Sequence, residues 1–418
     1  MDLSLTPALR DFQDEVRTWL HEHLVGEFAK YKGVGFSWDD QAWDVRIAWD
    51  KELSTGGWLC LGWPRGYGGR AASVDEQLVF QIEYARANPP YRATVQGQDL
   101  LGPTILAFGS PEQKSRFLPR IVAVEELWGQ GFSEPGAGSD LAGLRTSARL
   151  DGDEWVIDGQ KVWTSTGVHA DWLYVLCRTD PQAPRHRGIS LLLIPVDQPG
   201  VDIRPIRNIL DGAEFCEVFF SGARTPADMV VGPVNGGWGV AMGTLGTERG
   251  TTLLAEHLRI KREVDEMIDA ARAGGRSPHA VLRRDLVRAW TDARIMEWNA
   301  LRLMTAIKGH GIDPVTQASI SKVFASGAHI RMGETAMRAE GARSELVGDG
   351  YELDRLQQAF LASRAESIYG GTTQIQYNTL AERVLGLPRE PRRSLAGHGR
   401  NASSATGRAK PVTVHNQQ

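Results

Sequence analysis

Apolar positions recur at a helical period in the first third of the chain, alternate in the middle, and return to a helical period towards the end. Leu9, Phe12, Val16, Trp19 and Leu20 form one stripe, and Thr6 followed by Pro7 supplies a cap and a first-turn proline for it. A second helix is expected over about residues 39–53. A glycine-rich connection spans 56–73, and Ser73 with Glu76 spells a capping box for a helix carrying Leu78, Ile82 and Ala85. Ser110, Pro111 and Gln113 mark another helix start, after a stop at Gly109. Near Leu127 the pattern changes. Asp151-Gly152 and Asp158-Gly159 read as hairpin turns, and residues 172–178, 189–196, 201–206 and 217–220 read as strands. Each strand is too short and too closely spaced for a strand-helix-strand unit, so this region reads as all-β. From Gly237 four helical segments follow, at about 237–273, 278–308, 314–341 and 353–385, which predicts a four-helix bundle.

The expected fold is therefore α+β and multidomain: an N-terminal helical domain over 1–126, a middle β-barrel or sandwich over 127–236, and a C-terminal four-helix bundle over 237–389. Residues 390–418 are rich in Arg, Ser, Ala and Gly without apolar periodicity and are expected to form a disordered tail.

Composition narrows the function. The chain has 418 residues, 42% of them hydrophobic, enough for sizeable cores. A net charge of −4 argues against nucleic acid and against a basic membrane patch. Cys60, Cys177 and Cys216 are odd in number and widely spaced, so neither a disulfide framework nor a metal site is expected, and a reducing compartment is. The acidic, amphipathic start is no signal peptide, and no apolar run is long enough to insert in a membrane, so a cytoplasmic location is expected.

Three stretches carry candidate chemistry. Residues 132–140 read FSEPGAGSD, a loop whose backbone N–H groups and hydroxyls suit an anion or a ring edge. It is no dinucleotide fingerprint, because Leu141 stands where the third glycine belongs. Residues 161–166 read KVWTST, where Trp163 could cover a flat ring or be a half-buried strand residue. Residues 367–388 read SIYGGTTQIQYNTLAERVLGLP. The glycine pair allows close approach of a planar ligand, and the hydroxyls and amide after it can bond polar ligand groups at a helix start. By itself this stretch is better read as a plain turn between two helices.

With these motifs in this order on a helix, β, bundle plan, the chain resembles the acyl-CoA dehydrogenase family over nearly its whole ordered length. The resemblance implies FAD between the β domain and the bundle. It places Phe132, Ser133 and Ser139 along flavin and substrate, Trp163, Thr164 and Ser165 against the isoalloxazine, and Thr372 and Gln374 on the cofactor. It further implies an acyl-CoA substrate bordered by Ser139, Arg249 and Tyr369, an electron-transfer flavoprotein as acceptor, and a homo- or hetero-oligomer. The reaction removes an α-proton to a carboxylate and a β-hydride to flavin N5, while the thioester carbonyl is held by hydrogen bonds.

The commonest family pattern at the turn is Tyr-Glu-Gly-Thr, with the glutamate as base. Here Tyr369-Gly370-Gly371-Thr372 lacks it. Gly370 keeps its backbone N–H for the carbonyl. In one branch, including isovaleryl- and long-chain-type enzymes and an actinobacterial FadE-like group, the base comes from the first bundle helix, directly before an arginine. Glu248-Arg249 matches that position. By spacing alone, Glu248 is as well read as a surface glutamate near a helix start. His169, His257 and His329 are rivals that no family position supports.

Two cofactor-binding motifs of the family are altered as well. The R-x-x-F-G region reads ARAGGRSPHAVLRRD over 271–285, where Arg276 is the nearest substitute, and the later glycine-rich segment reads AEGARSE over 339–345. These losses suggest FAD shared with a different subunit, or a modified set of contacts. Gly97 and Gly102, in the stretch resembling the acyl-tail lining, would permit a roomy pocket. Two alternatives stand beside the dehydrogenase: a cofactor-supporting subunit of a heteromeric enzyme, and a flavin oxidase or monooxygenase on the same fold.

Overall fold

Among the described residues six α-helices come first, α1 (Pro7–His23), α2 (Gly26–Lys30), α3 (Trp43–Thr55), α4 (Val74–Ala87), α5 (Gly102–Phe108) and α6 (Pro111–Val122). The computed structural model describes residues 5–34, 41–248, 252–311 and 313–389. The stretch 390–418, expected to be a disordered tail, lies outside the described residues, as do Asp39 and Asp40 at the expected start of the second helix. The caps form as the residue types dictate. Thr6 Oγ1 accepts from Leu9 N at 3.3 Å. Both capping boxes, Ser73 with Glu76 and Ser110 with Gln113, are complete, which satisfies backbone donors that a bare helix start would leave unpaired. The α1 stripe buries Phe12, Val16 and Leu20.

Eight strands follow: β1 (Trp128–Gly131), β2 (Ser147–Asp151), β3 (Glu154–Ser165), β4 (Trp172–Arg178), β5 (Ile189–Pro195), β6 (Val201–Ile206), β7 (Phe215–Pro226) and β8 (Val230–Val231). They form one sheet in the order β6-β7-β3-β2-β4-β5-β8, with β1 running parallel to β4. Asp151-Gly152 opens the β2–β3 hairpin, whose register runs from Asp151↔Glu154 to Ser147↔Asp158. The second expected hairpin does not exist. Asp158-Gly159 sits inside β3, at a register shift against β7. Gly159 has φ +147°, and a Cβ there would lie 2.6 Å from Thr146 Cα. The glycine marks a bulge and a close backbone approach, both of which mimic a turn signal in sequence.

The bundle holds α7 (Gly237–Glu248), α8 (Thr252–Ala273), α9 (Ala280–Ile307), α10 (Pro314–Glu340), α11 (Arg355–Ser363) and α12 (Thr373–Thr379). The fourth segment, expected as one long helix over 353–385, is two short helices. Gly370 at φ 61° and Gly371 at φ 89° break it, and Thr372 caps α12 by accepting from Ile375 N at 3.2 Å. Left-handed backbone at consecutive residues cannot continue a right-handed helix.

Three main cores result. One, from Phe12 to Ala241, joins the N-terminal helices to one face of the sheet and to α7. The second fills the other sheet face, around Leu173, Val175, Leu192 and Val218. The third lies inside the bundle, around Val264, Met267, Met296 and Met332. The bundle is tied back to the N-terminal helices by the Thr104 and Thr244 hydroxyls at 2.8 Å and by Arg262 Nη1 on Ala85 O at 2.8 Å. Among the described residues, no helix is long and apolar enough to cross a membrane.

Candidate active site

The loop 132–140 and the strand segment 161–166 are locked together by one buried ion pair. Lys161 Nζ donates to Glu134 Oε1 at 2.8 Å and to Phe132 O at 3.1 Å. Glu134 also accepts from the backbone N–H groups of Arg145 (2.7 Å) and Thr146 (2.8 Å). Burial opposes ionisation of Glu134, but the Lys161 ammonium and the Thr146 donors outweigh it and hold the carboxyl below its usual range. Val162 N reaches Ser133 O at 3.0 Å. Phe132 is buried edge-on to Tyr174, at 5.7 Å between ring centroids, whereas Ser139 is exposed and Ser133 half-buried.

A bulge then turns Trp163 outwards. Between Lys161↔Val218 and Thr164↔Cys216, β3 carries one more residue than β7, and Trp163 takes φ 59°. Lys161 and Val162 are both buried as a result, and Trp163 is 58% exposed, held edge-on by Phe215. Thr164 points inwards and is fully buried. Of the two residues expected at a ring edge, Ser165 is therefore the one left half-exposed beside Trp163, and Thr164 faces the interior of the sheet.

The glycine turn is set between fixed neighbours. Lys322 Nζ lies 4.3 Å from the Tyr369 ring centroid, and a Cβ on Gly370 would sit 3.7 Å from that ammonium. Gln376 is buried and donates to Gly370 O at 3.3 Å. Gln374 is exposed and Thr372 half-buried. Sequence reasoning singled out Gln374 and missed both Gln376 and Lys322. Gln376 carried no periodic signal, since Ile375 beside it is exposed and Gln376 is buried.

These segments fit a flavin. Gln130 Nε2 and Gln376 Oε1 are buried with no hydrogen-bond partner. Buried polar atoms are rarely left so, and a ligand or water is expected to satisfy them. The exposed Trp163 ring and neutral hydroxyls and amides suit a flavin ring and its edge better than a charged group would.

Glu248 is the last residue of α7, and its side chain, with all of Arg249, lies outside the described residues. His329 is buried between two carboxylates and is excluded as a base open to substrate. His169 stacks on Trp43 at 3.9 Å. Gly97 and Gly102 do not open a pocket. A Cβ on Gly102 would fall 2.0 Å from Trp63 Cζ2, and one on Gly97 would lie 3.3 Å from both Ile121 Cγ2 and Trp128 Cδ1. The space those glycines release is already filled by indole rings.

The region that should grip cofactor phosphates is also rebuilt. Arg276 donates through Nε (2.8 Å) and Nη2 (2.5 Å) to Ala339 O, closing the end of α10 within the same chain. Beside it, burial and then the Asp354 carboxylate push Glu340 up to about 7. Arg343 and Arg276 act against that shift.

Three family models match in sequence order: "Acyl-CoA dehydrogenase, N-terminal domain" over 6–125, "middle domain" over 129–223 and "C-terminal domain" over 235–385. Acyl-CoA dehydrogenase IpdE1 of Mycobacterium tuberculosis is 48% identical over 383 residues, covering 91% of this chain and 98% of its own. The solved Tcur3481-Tcur3483 steroid ACAD is 31% identical with a TM-score of 0.82, covering 93% of this chain and 100% of its own. The ChsE4-ChsE5 complex from Mycobacterium tuberculosis is also 31% identical, with a TM-score of 0.78 and coverage of 93% and 100%. The chain belongs to the acyl-CoA dehydrogenase family, a family of oxidoreductases that are generally FAD-dependent.

Proposed function

We propose that this chain carries out α,β-dehydrogenation of an acyl-CoA, with Glu248 as the α-proton base and the Gly370 N–H as a donor to the thioester carbonyl. The observation that carries this reading is the glycine turn, which presents an exposed backbone and has no carboxylate of its own. A base is then required from another element, and α7 ends in Glu248. Bound FAD would accept the β-hydride at N5, pass the electrons to an electron-transfer flavoprotein, and hold the carbonyl oxygen together with Gly370. The chain's own part is positional and protonic. Trp163 covers the ring. Phe132, Ser133, Ser139, Ser165, Thr372 and Gln374 border the cofactor without a permanent charge that would trap one redox state. Tyr369 and Arg249 border the acyl thioester, and Glu248 removes the proton once the carbonyl is polarised.

Gly370 leaves room beside the α-carbon, and one relative with high structural similarity is titled a steroid ACAD. Both support a bulky, ring-bearing acyl group as substrate. A second reading is favoured by the Arg276 and Glu340 arrangement: the chain works as one subunit of a heteromeric enzyme whose partner helps to hold FAD. Two solved relatives, Tcur3481-Tcur3483 and the ChsE4-ChsE5 complex, are named for two components each, which agrees with it.

The test is a panel of straight, branched and ring-bearing acyl-CoAs given to the purified chain, with flavin content measured and products read by mass spectrometry. Enoyl products lighter by two hydrogens are expected, with ring-bearing chains preferred and reduced flavin reacting slowly with oxygen. Glu248→Gln should lower turnover by about 100- to 10,000-fold. Retention of turnover by that variant would remove Glu248 from the mechanism, and fast reoxidation by oxygen would favour an oxidase.

A further inference from the structure

A charged cluster lies buried in the bundle, close in sequence to the glycine turn. His329, midway along α10, places Nδ1 2.7 Å from Glu366 Oε1 and Nε2 2.7 Å from Glu263 Oε2. Arg259, one turn before Glu263 on α8, bonds Glu263 and approaches Glu366 at 3.7 Å. His329 and Glu263 are each 1% exposed and Glu366 3%. Two carboxylates held at this depth need two cations to balance them, and the described partners are Arg259 and His329.

Glu366 belongs to the short 3-10 turn Ala365–Ser367 that connects α11 to the glycine pair. From it the backbone runs straight into the site. Ile368 N and Tyr369 N both donate to Ala365 O, at 2.9 and 3.1 Å. Gly370 follows, and Gln376 grips its carbonyl from beyond. A second contact from α10 meets the same segment, the Lys322 ammonium over the Tyr369 ring. Lys322 and His329 are seven residues apart, two helical turns, and so share one face of α10. Gly333 continues that face, where a Cβ would lie 2.9 Å from Phe360 Cα on α11.

We infer that His329 is a positioning residue: through Glu366, and together with Lys322, it clamps the 366–370 turn to α10 and so aims the Gly370 N–H at the substrate carbonyl. A glycine pair has the widest backbone freedom in the chain, and its N–H direction is worth nothing to the reaction unless its flanks are fixed. A buried carboxylate bonded to an imidazolium is a stiff anchor at one flank, and Gln376 anchors the other. The ordinary alternative, that the cluster only stabilises the bundle, predicts loss of stability with no selective effect at the turn.

This inference rests on the reading of Gly370 as a carbonyl donor, and two readouts separate the two. Hydrogen exchange by mass spectrometry on the full chain, without substrate and together with any second polypeptide needed for full flavin loading, tests the clamp. Kinetics of the wild-type chain on the acyl-CoA panel tests the reading. In His329→Gln, exchange over 366–376 should rise about tenfold while exchange over 282–300 in α9 stays at the wild-type level. On an acyl-CoA that the wild-type chain turns over, kcat should fall about 10- to 100-fold with KM little changed. Lys322→Met, which leaves the buried cluster intact, should shift both quantities in the same direction. Unchanged exchange over 366–376 in His329→Gln overturns the clamp, as does a uniform rise across the bundle. If His329→Gln does not fold, wild-type exchange and kcat in Lys322→Met overturn it instead.

Discussion

At the scale of single residues, the two most recognisable motifs of this chain are held together by an interaction between their least conspicuous members. Glu134 in FSEPGAGSD and Lys161 in KVWTST meet in a buried pair, with Lys161 fully inaccessible. Their work is to fix the loop to the strand so that the bulge at Trp163 has a rigid neighbour. Lys161→Met leaves Glu134 buried without its cation, and such one-sided removal costs about 3–5 kcal/mol. It should appear as a lower urea midpoint, and adding Glu134→Gln in the same chain should recover some of that loss. The same scale explains an expectation that went astray. The sequence puts Thr164 and Ser165 side by side after Trp163, but alternation along a strand, shifted by the bulge, sends Thr164 inwards. A bulge of one residue leaves no compositional trace beyond a Trp that must tolerate φ 59°.

At the scale of elements, helix starts were legible and helix interruptions less so. Thr6, Ser73 and Ser110 announced their helices because the capping atoms are local, within three residues of one another. The hairpin expected at Asp158-Gly159 failed because a glycine needed for Thr146 to approach looks the same as one needed for a turn. The three motifs were recognisable for the same local reason, each being one unbroken run of 6 to 22 residues. The cluster of Arg259, Glu263, His329 and Glu366 was not, because it is assembled from α8, α10 and the turn after α11, and no spacing joins them. That cluster makes stability depend on pH in both directions. Burial disfavours the His329 cation, but Glu366 and Glu263 outweigh it and raise its pKa to about 10, against about 6.5 in an unfolded chain. Its contribution is complete below about pH 6.5 and is lost as pH rises through 10. Burial would raise Glu263, but Arg259 and His329 prevail and bring it down to about 2, against about 4.3 unfolded. Its contribution is complete above about pH 4.3 and is lost as pH falls through 2. The difference in thermal stability between the wild-type chain and His329→Gln should therefore be largest below about pH 6.5 and shrink as pH rises towards 10.

At the scale of the whole molecule, the order of helices, sheet and bundle was legible from periodicity alone, whereas the way these regions meet was not. Arg276 closes on Ala339 O beside the Glu340–Asp354 acid pair, so that guanidinium is engaged within its own chain. Purified by itself, the chain should hold less than one flavin per chain, and flavin retention should rise when a second polypeptide of the same fold is co-expressed. Absorbance at the flavin band with light scattering reads both quantities, and full loading of the lone chain would argue against a heteromeric site. The core that runs from Phe12 through Trp63, Tyr174 and Leu193 to Ala241 has a wider consequence. It crosses both seams that the family models draw, at 125–129 and 223–235. The three named domains are therefore units of ancestry more than units of cooperativity. A chimaera cut at those seams would divide a single interior into mismatched halves, so acyl selectivity should transplant only when the strands facing the exchanged helices, and α7 behind them, travel together.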